Sequence, residues 1–247
     1  PSLVLKAYAI GVFPMADARD AADVYWVEPK TRAILPLDQF RLSRSLRKVV
    51  AGDRFRVTAD TAFDQVIALC AEAAHDRPDT WINGGIAAVF RQLHAMGLAH
   101  SIECWDGDRL VGGLYGLALG RAFFGESMVS RTRDASKVAL AWLVARLNVG
   151  GFTLLDCQFM TDHLASLGAV EISRTAYQSL LSAALDAPLG GGGADSGGGR
   201  FAALDSLGAG DRAARGADDE AAAGASPPAS AGPLSGKDIV QLLVQTS

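Results

Sequence analysis

Asp156 and Gln158 stand two residues apart at the end of an apolar run, Phe152 to Asp156, that reads as a buried strand. The two-residue period of a strand puts their side chains on one face. A carboxylate beside an amide can orient an ammonium group and relay its proton. The other assignment makes Asp156 the cap of the turn that follows. Glu126 belongs to Gly125-Glu126-Ser127-Met128-Val129, which starts like a nucleophile elbow but lacks the closing glycine. Its carboxylate could meet a cationic ligand or serve in a structural ion pair. Trp26 and Trp81 flank loop signals, where an aromatic face can stack a base for ~1–3 kcal/mol or simply pack in the core. Leu114, Met128 and Leu155 could line an apolar pocket, in which methionine adapts to irregular shapes, or fill the core.

Other chemistries lack their residues. No G-x-x-x-x-G-K-[ST] loop occurs, and no G-x-G-x-x-G opens a helix after a strand. The histidines (His75, His94, His100, His163) have no H-x-x-x-H spacing, so no metal is expected. Cys70, Cys104 and Cys157 stand far apart with no C-x-x-C, which suits a reducing cytosol better than a disulfide framework. No apolar run reaches the roughly 18 residues of a membrane span. Lys6, Pro14 and Asp17 do not fit a signal peptide. The expectation is a monomer in the cytoplasm. The first residue is Pro1, not methionine, and a fragment lacking its beginning is expected.

Hydrophobic residues make up 49% and charged residues 20%, ordinary for a globular chain. The net charge of −4 first speaks against a nucleic-acid partner, but its distribution changes that. From Asp186 onward four basic residues face eight acidic ones, so residues 1–185 are neutral as a whole. Within them, residues 38–58 carry Arg41, Arg44, Arg47, Lys48, Arg54 and Arg56 against Asp38 and Asp53. Such a cluster can grip a few phosphates, or be a solvated basic face.

Three regions follow: 1–59, a small N-terminal domain holding the basic patch; 60–185, the catalytic domain; and 186–247, a Gly/Ala-rich tail. Thirteen of the 27 glycines lie in that tail, which buries too little apolar surface to offset its ordering entropy. Disorder is expected there, apart from a short helix that Ile239 to Val244 could form, so truncation at 186 should spare activity. Residues 1–59 contain short apolar pieces cut by prolines and an amphipathic helix at 43–51. A helix over 61–74 is expected from Phe63, Val66, Ile67 and Cys70, with Thr61 and Asp64 resembling a capping box. Another runs over 84–96 and stops at Gly97. Strands at 99–105, 109–119 and 122–128 follow, with Asp106-Gly107 as a hairpin turn. Then come a helix at 135–148 capped near Asp134, the strand 152–156, a short helix ending at Gly168, a strand at 170–172 and a helix from Ser173 to Leu185.

Three meandering strands, a helix, a strand and a helix match the core order of the acetyl-CoA-dependent N-acetyltransferases. The fold class is therefore α+β, with a mixed, mostly antiparallel sheet. Those enzymes hold the CoA pyrophosphate on an [RQ]-x-x-G-x-[GA] loop. Here the loop reads Ser130-Arg131-Thr132-Arg133-Asp134-Ala135-Ser136, without glycine. The usual cofactor has lost its cradle, and no cofactor is expected.

Eight strings in one order then point to a family. They are Ala7 to Met15 (AYAIGVFPM), Thr80-Trp81-Ile82, His100-Ser101-Ile102-Glu103, Leu110 to Gly116 (LVGGLYG), Gly125-Glu126-Ser127-Met128, Asp134-Ala135-Ser136-Lys137, Asp156-Cys157-Gln158 and His163 to Gly168 (HLASLG). Together they resemble the leucyl/phenylalanyl-tRNA–protein transferases over residues 3–185. The departures are Tyr25-Trp26-Val27-Glu28-Pro29 for Trp-Trp-Ser-Pro, Leu114 for a common methionine and Val129 for a common phenylalanine; they bear on side-chain preference. The resemblance implies transfer of Leu or Phe, with Met a further possibility, from leucyl-tRNA or phenylalanyl-tRNA to proteins with N-terminal Arg or Lys. It implies Asp156 and Gln158 as catalytic, Glu126 as the acceptor's cation partner, and Trp26 and Trp81 stacking the tRNA 3′-adenosine. Leu114, Met128 and Leu155 become the aminoacyl pocket, and Arg41, Arg44, Arg47 and Lys48 the tRNA phosphate contacts.

Overall fold

The structure is a computed structural model and describes residues 1–72, 80–186, 199–207 and 234–245. Helix α1 (Ser2–Ala9) buries Val4, Ala7 and Tyr8, and β1 (Phe13–Met15) pairs antiparallel with β2 (Tyr25–Val27) in a small ribbon. β3 (Thr31–Ile34) is followed by α2 (Arg44–Ala51), where the Ser43 hydroxyl accepts from the Leu46 N–H at 3.2 Å. Next come β4 (Arg56–Ala59), α3 (Phe63–Cys70) and α4 (Gly84–Ala95), the last capped by Asn83 accepting from Ile86 N–H at 2.8 Å. The meander is β5 (Ala99–Asp106), β6 (Arg109–Leu119) and β7 (Ala122–Ser130). Then follow α5 (Ala135–Val149), β8 (Leu154–Gln158), α6 (Asp162–Ser166), β9 (Val170–Ser173) and α7 (Arg174–Asp186). A 3-10 turn at Gly199–Ala202 runs into α8 (203–207), and α9 (Gly236–Gln245) ends the described chain.

Seven strands form one sheet in the order β4-β5-β6-β7-β8-β3-β9. All neighbours are antiparallel except β7 and β8. Alternation along the strands divides the core. Leu114, Phe123 and Leu155 face the side covered by α5 and α2, whereas Tyr115, Phe124 and Leu154 face the side of α1, α3, α4 and α7. α5 is apolar around nearly its whole circumference because it lies between the sheet and a second layer containing α2 and α9. Its start reaches β6 closely, since a Cβ at Gly112 would lie 2.5 Å from that of Ala135. The α+β class and the mixed, mostly antiparallel sheet of N-acetyltransferase type are as expected.

Several details differ. β3, unread in the sequence, inserts between β8 and β9, and β4 forms the opposite edge. Strands from both sides of the expected boundary at 59/60 build one sheet. α3 begins at Phe63 because Thr61 spends its hydroxyl elsewhere: it donates to Glu103 at 3.0 Å and shares a 2.7 Å bond with Thr58. Residues 73–74 of that expected helix lie outside the described residues. β8 starts two residues later than expected and continues to Gln158. Asp134 precedes α5 in the left-handed region, φ 70°, with no side-chain cap bond.

Two described pieces of the tail are ordered on the core, and the second contains the short helix expected over Ile239 to Val244. The glycine runs 190–193 and 197–198 lie outside the described residues, but 199–207 and 234–245 pack on the core. Phe201, Leu204, Ile239, Val240 and Leu243 are buried in the same cluster as α5 and the α2 residues Leu46 and Val50. Buried Arg146 of α5 donates a fork to Asp205 at 2.7 and 2.6 Å and a further bond to the Phe201 carbonyl at 2.8 Å. Gly236 N–H donates to Asp53 at 2.6 Å. An average over the tail's composition hides these two anchors. Leu243→Ala is expected to cost ~2–4 kcal/mol, lowering the melting midpoint by roughly 5–15 °C. Truncation after Asp186 should lower it at least as far; a truncated chain melting with the intact one would show the anchors to be idle.

Candidate active site

Parallel strands β7 and β8 pair at Ala122↔Leu154, Phe123↔Leu155 and Phe124↔Asp156, and the pairing stops there. Each strand carries one extra residue just beyond. Along β6, Tyr115 faces Ser127 while Gly116 faces Gly125, so Glu126 is surplus to the ladder. Along β3, Ala33 faces Gln158 while Ile34 faces Asp156, so Cys157 is surplus. Such bulges bend a strand and re-aim its side chains. The wedge between the strands holds a cavity of about 590 Å³.

Glu126, Gln158 and the expected Leu114, Met128 and Leu155 all line this cavity, and α5 adds Leu140 and Leu143. Trp81 lines it from the α4 side, with Leu69 and Glu72 of the α3 region. Trp26 does not: it lies 40% exposed on β2, outside the lining. Arg41, Arg44, Arg47 and Lys48 are exposed on and before α2 and are likewise outside it. Trp142 is buried in the core, while Trp105 is half-buried and donates to the Thr58 hydroxyl at 2.8 Å. Among the described residues no cluster of three or more His, Cys, Asp or Glu could hold a metal ion.

Asp156 is 0% exposed and absent from the lining. Arg32 forks onto it, Nε to Oδ1 at 2.9 Å and Nη2 to Oδ2 at 2.6 Å, and the Tyr177 hydroxyl donates to Oδ2 at 2.7 Å. Its Oδ1 also accepts the Gln158 N–H at 2.8 Å. A carboxylate so fully engaged has no free lone pair to offer an incoming amine. The expectation that Asp156 and Gln158 share one face gives way to a division: Asp156 turns to Arg32 and Tyr177, and Gln158 to the cavity. Gln158 manages this at φ 63°, in a three-residue turn closed by Phe159 N–H donating to Cys157 C=O at 2.8 Å. Outliers of this kind cost of order 1–3 kcal/mol and persist only where surrounding bonds fix them.

The Gln158 amide donates from Nε2 to Glu126 Oε1 at 3.0 Å. Glu126 Oε2 and the Tyr8 hydroxyl are both sealed from solvent outside hydrogen-bonding geometry, yet near enough for each to shift the other's titration. Burial pushes the Glu126 carboxyl from its ordinary 4.5 up to about 8; Tyr8 and Gln158 pull it down, and the Asp156 charge adds to the rise. Burial works against the Arg32 charge, and the bond and charge of Asp156 more than restore it. Burial also raises the Cys157 thiol, making it a neutral wall residue and not a thiolate nucleophile. Arg32, Tyr8 and Tyr177 were missed in the sequence. Arg32 sits in a proline-flanked stretch with no periodicity, and only its odd place in the short run Thr31–Ile34 could have marked it.

Family models with the descriptions "Leucyl/phenylalanyl-tRNA protein transferase" and "Leucyl/phenylalanyl-tRNA protein transferase N-terminal domain" match residues 34–182 and 1–30. The chain is 60% identical over 260 residues to a leucyl/phenylalanyl-tRNA–protein transferase of Rhizorhabdus wittichii, covering 100% of this chain and 98% of the other. It is 65% identical over 185 residues to that of Zymomonas mobilis, covering 75% and 69%. With that of Paramagnetospirillum magneticum identity is 58% over 183 residues, covering 74% and 88%.

Glu126 keeps its proton in the folded chain up to about 8, whereas the unfolded chain releases it near 4.5. Between those values the folded state binds more protons, so this residue makes stability fall as pH rises, with no penalty below and the full penalty above. Glu126→Gln should therefore gain on wild type by a few kcal/mol (order of magnitude) between about pH 5 and about pH 8. Denaturant midpoints at both pH values measure it; equal changes in the two proteins would place the buried proton elsewhere.

Proposed function

The chain belongs to the leucyl/phenylalanyl-tRNA–protein transferase family, and we propose that it transfers Leu or Phe, with Met as a further donor, from aminoacyl-tRNA to the α-amino group of proteins with N-terminal Arg or Lys. The product is a peptide bond and a new N-terminal degradation signal. The reading carries a cytoplasmic location with it; among the described residues no helix is long and apolar enough to cross a membrane.

The observation that carries this reading is the polar pair Glu126–Gln158, joined at 3.0 Å, in a cavity whose lining also includes the apolar side chains Leu114, Met128, Leu140, Leu143 and Leu155. The apolar wall takes the Leu or Phe side chain, and the polar pair meets the ester and the amine. An aminoacyl ester is already activated, so attack by a neutral amine needs orientation, a proton acceptor and stabilisation of the oxyanion. With a pKa of roughly 8, about a tenth of an α-amino group is neutral near pH 7. The amine nitrogen adds to the ester carbonyl, the bond to the tRNA 3′-oxygen breaks, and that oxygen leaves as a hydroxyl after taking a proton.

Gln158 holds the amine through its side-chain carbonyl, since its Nε2 is spent on Glu126. Glu126, neutral when empty, gives up its proton as the cationic side chain of an N-terminal Arg or Lys arrives, and pairs with it. Asp156 serves through Gln158 instead of touching the amine. Trp81 stacks the 3′-adenosine, Trp26 extends that platform from β2, and Arg41, Arg44, Arg47 and Lys48 grip tRNA phosphates away from the cavity.

Radiolabelled Leu-tRNA mixed with peptides starting in Arg, Lys or Ala should label the first two only; label on the Ala peptide at an equal rate would remove Glu126 from acceptor choice. Reversing Arg44 and Arg47 to Glu should weaken binding of charged tRNA and flatten the slope of log K against log salt. An unchanged slope would move the phosphate contacts off α2.

A further inference from the structure

We propose that Arg32 and Tyr177 are positioning residues for the transfer, acting through Asp156 to fix the Gln158 amide and to balance the charge that Glu126 meets; this rests on the aminoacyl-transfer reading. The Arg32 guanidinium, 2% exposed, lies between two aromatic faces, 4.6 Å from the Phe13 centroid and 4.5 Å from that of Tyr177. Its Nη1 donates to the Gly11 carbonyl at 3.0 Å. The plane and one edge of the group are thereby fixed, and the remaining edge meets Asp156. Tyr177 both stacks on Arg32 and donates its hydroxyl to Asp156 at 2.7 Å. With those sites taken, Asp156 Oδ1 reaches the Gln158 N–H at 2.8 Å and holds the left-handed turn from which the amide extends to Glu126. The line of contact runs from β3 and α7, through β8, to the bulged residue of β7.

The same groups set opposing fields on Glu126. The charged and titratable groups facing it are Asp156 from β8, Arg32 from β3 and Tyr8 from α1. Around them stand Tyr115 from β6, Tyr177 from α7 and, on the cavity wall, His163 of α6. Asp156 favours a protonated Glu126 and Arg32 favours an ionised one. A residue that merely fills space would not move that carboxyl in a direction set by its own charge.

The test uses the full chain with 13C-labelled glutamate, the Glu126 carboxyl being assigned by its loss in Glu126→Gln. Its titration is followed by NMR in wild type, Asp156→Asn and Arg32→Gln, without substrate. Asp156→Asn should lower the midpoint, and Arg32→Gln should raise it, each by about one pH unit. In transfer assays, Tyr177→Phe and Arg32→Lys should reduce kcat roughly ten- to hundredfold, with KM for both substrates within about twofold of wild type. Shifts in the same direction, or wild-type kcat in both conservative variants, overturn the inference. Should Arg32→Gln not fold, Asp156→Asn and Tyr177→Phe decide it: an unmoved Glu126 in the first, or wild-type turnover in the second, is sufficient. A wild-type chain that passes no leucine to an Arg peptide would fail the functional reading instead, and the substrate-free titration would still judge the charge balance.

Discussion

Two parallel strands that begin as neighbours and then part impose most of what is distinctive here. While β7 and β8 remain paired, from Ala122↔Leu154 to Phe124↔Asp156, their side chains serve the two halves of the core. Beyond Phe124 and Asp156 each strand stays paired on its outer edge, β7 along β6 and β8 along β3. The gap between them is lined in part by side chains from α5 and holds the Glu126–Gln158 pair.

A buried ion pair is costly to assemble, because both groups lose water and only good geometry with further hydrogen bonds repays the loss. Arg32 and Asp156 meet that condition, with Tyr177, Gly11 and the Gln158 N–H taking up the remaining sites. Glu126 is left on the other side of this balance, buried without a cation of its own and holding a proton up to about 8. Its neutrality in the empty site follows from that desolvation.

The sequence was most readable where local signals and tertiary packing agreed. Asn83 and Gly97 bound α4, Asp106-Gly107 turns β5 into β6, and Gly150-Gly151 follows α5. It was least readable where a distant partner decided the outcome. β3 is four residues long and is a strand because β8 and β9 flank it, more than a hundred positions away. The capping pattern at Thr61 was overridden by Glu103, a residue on a neighbouring strand. Phe201 carries little signal among glycines and alanines until α5 supplies a surface, whereas Ile239 to Val244 show a short helix without showing what it packs against. Within the cavity, the motif strings marked Glu126, Gln158, Leu114, Met128 and Trp81, and the apolar run Phe152 to Asp156 held Leu155, whereas Arg32 and Tyr177 gain meaning only once β3 and α7 are placed beside Asp156.

Glu126 and Cys157 share one property: both are surplus to the ladders that carry them. Were each excised, Ser127 would still oppose Tyr115 and Gln158 would still oppose Ala33, with every other rung along β6 and β3 unchanged. The sheet therefore carries the cavity's Glu126 and Cys157 as a pair of single-residue insertions. In a scaffold of this kind, the residues that shape a cleft can be added or removed through chain length alone, one codon at a time, with the ladder register on either side kept.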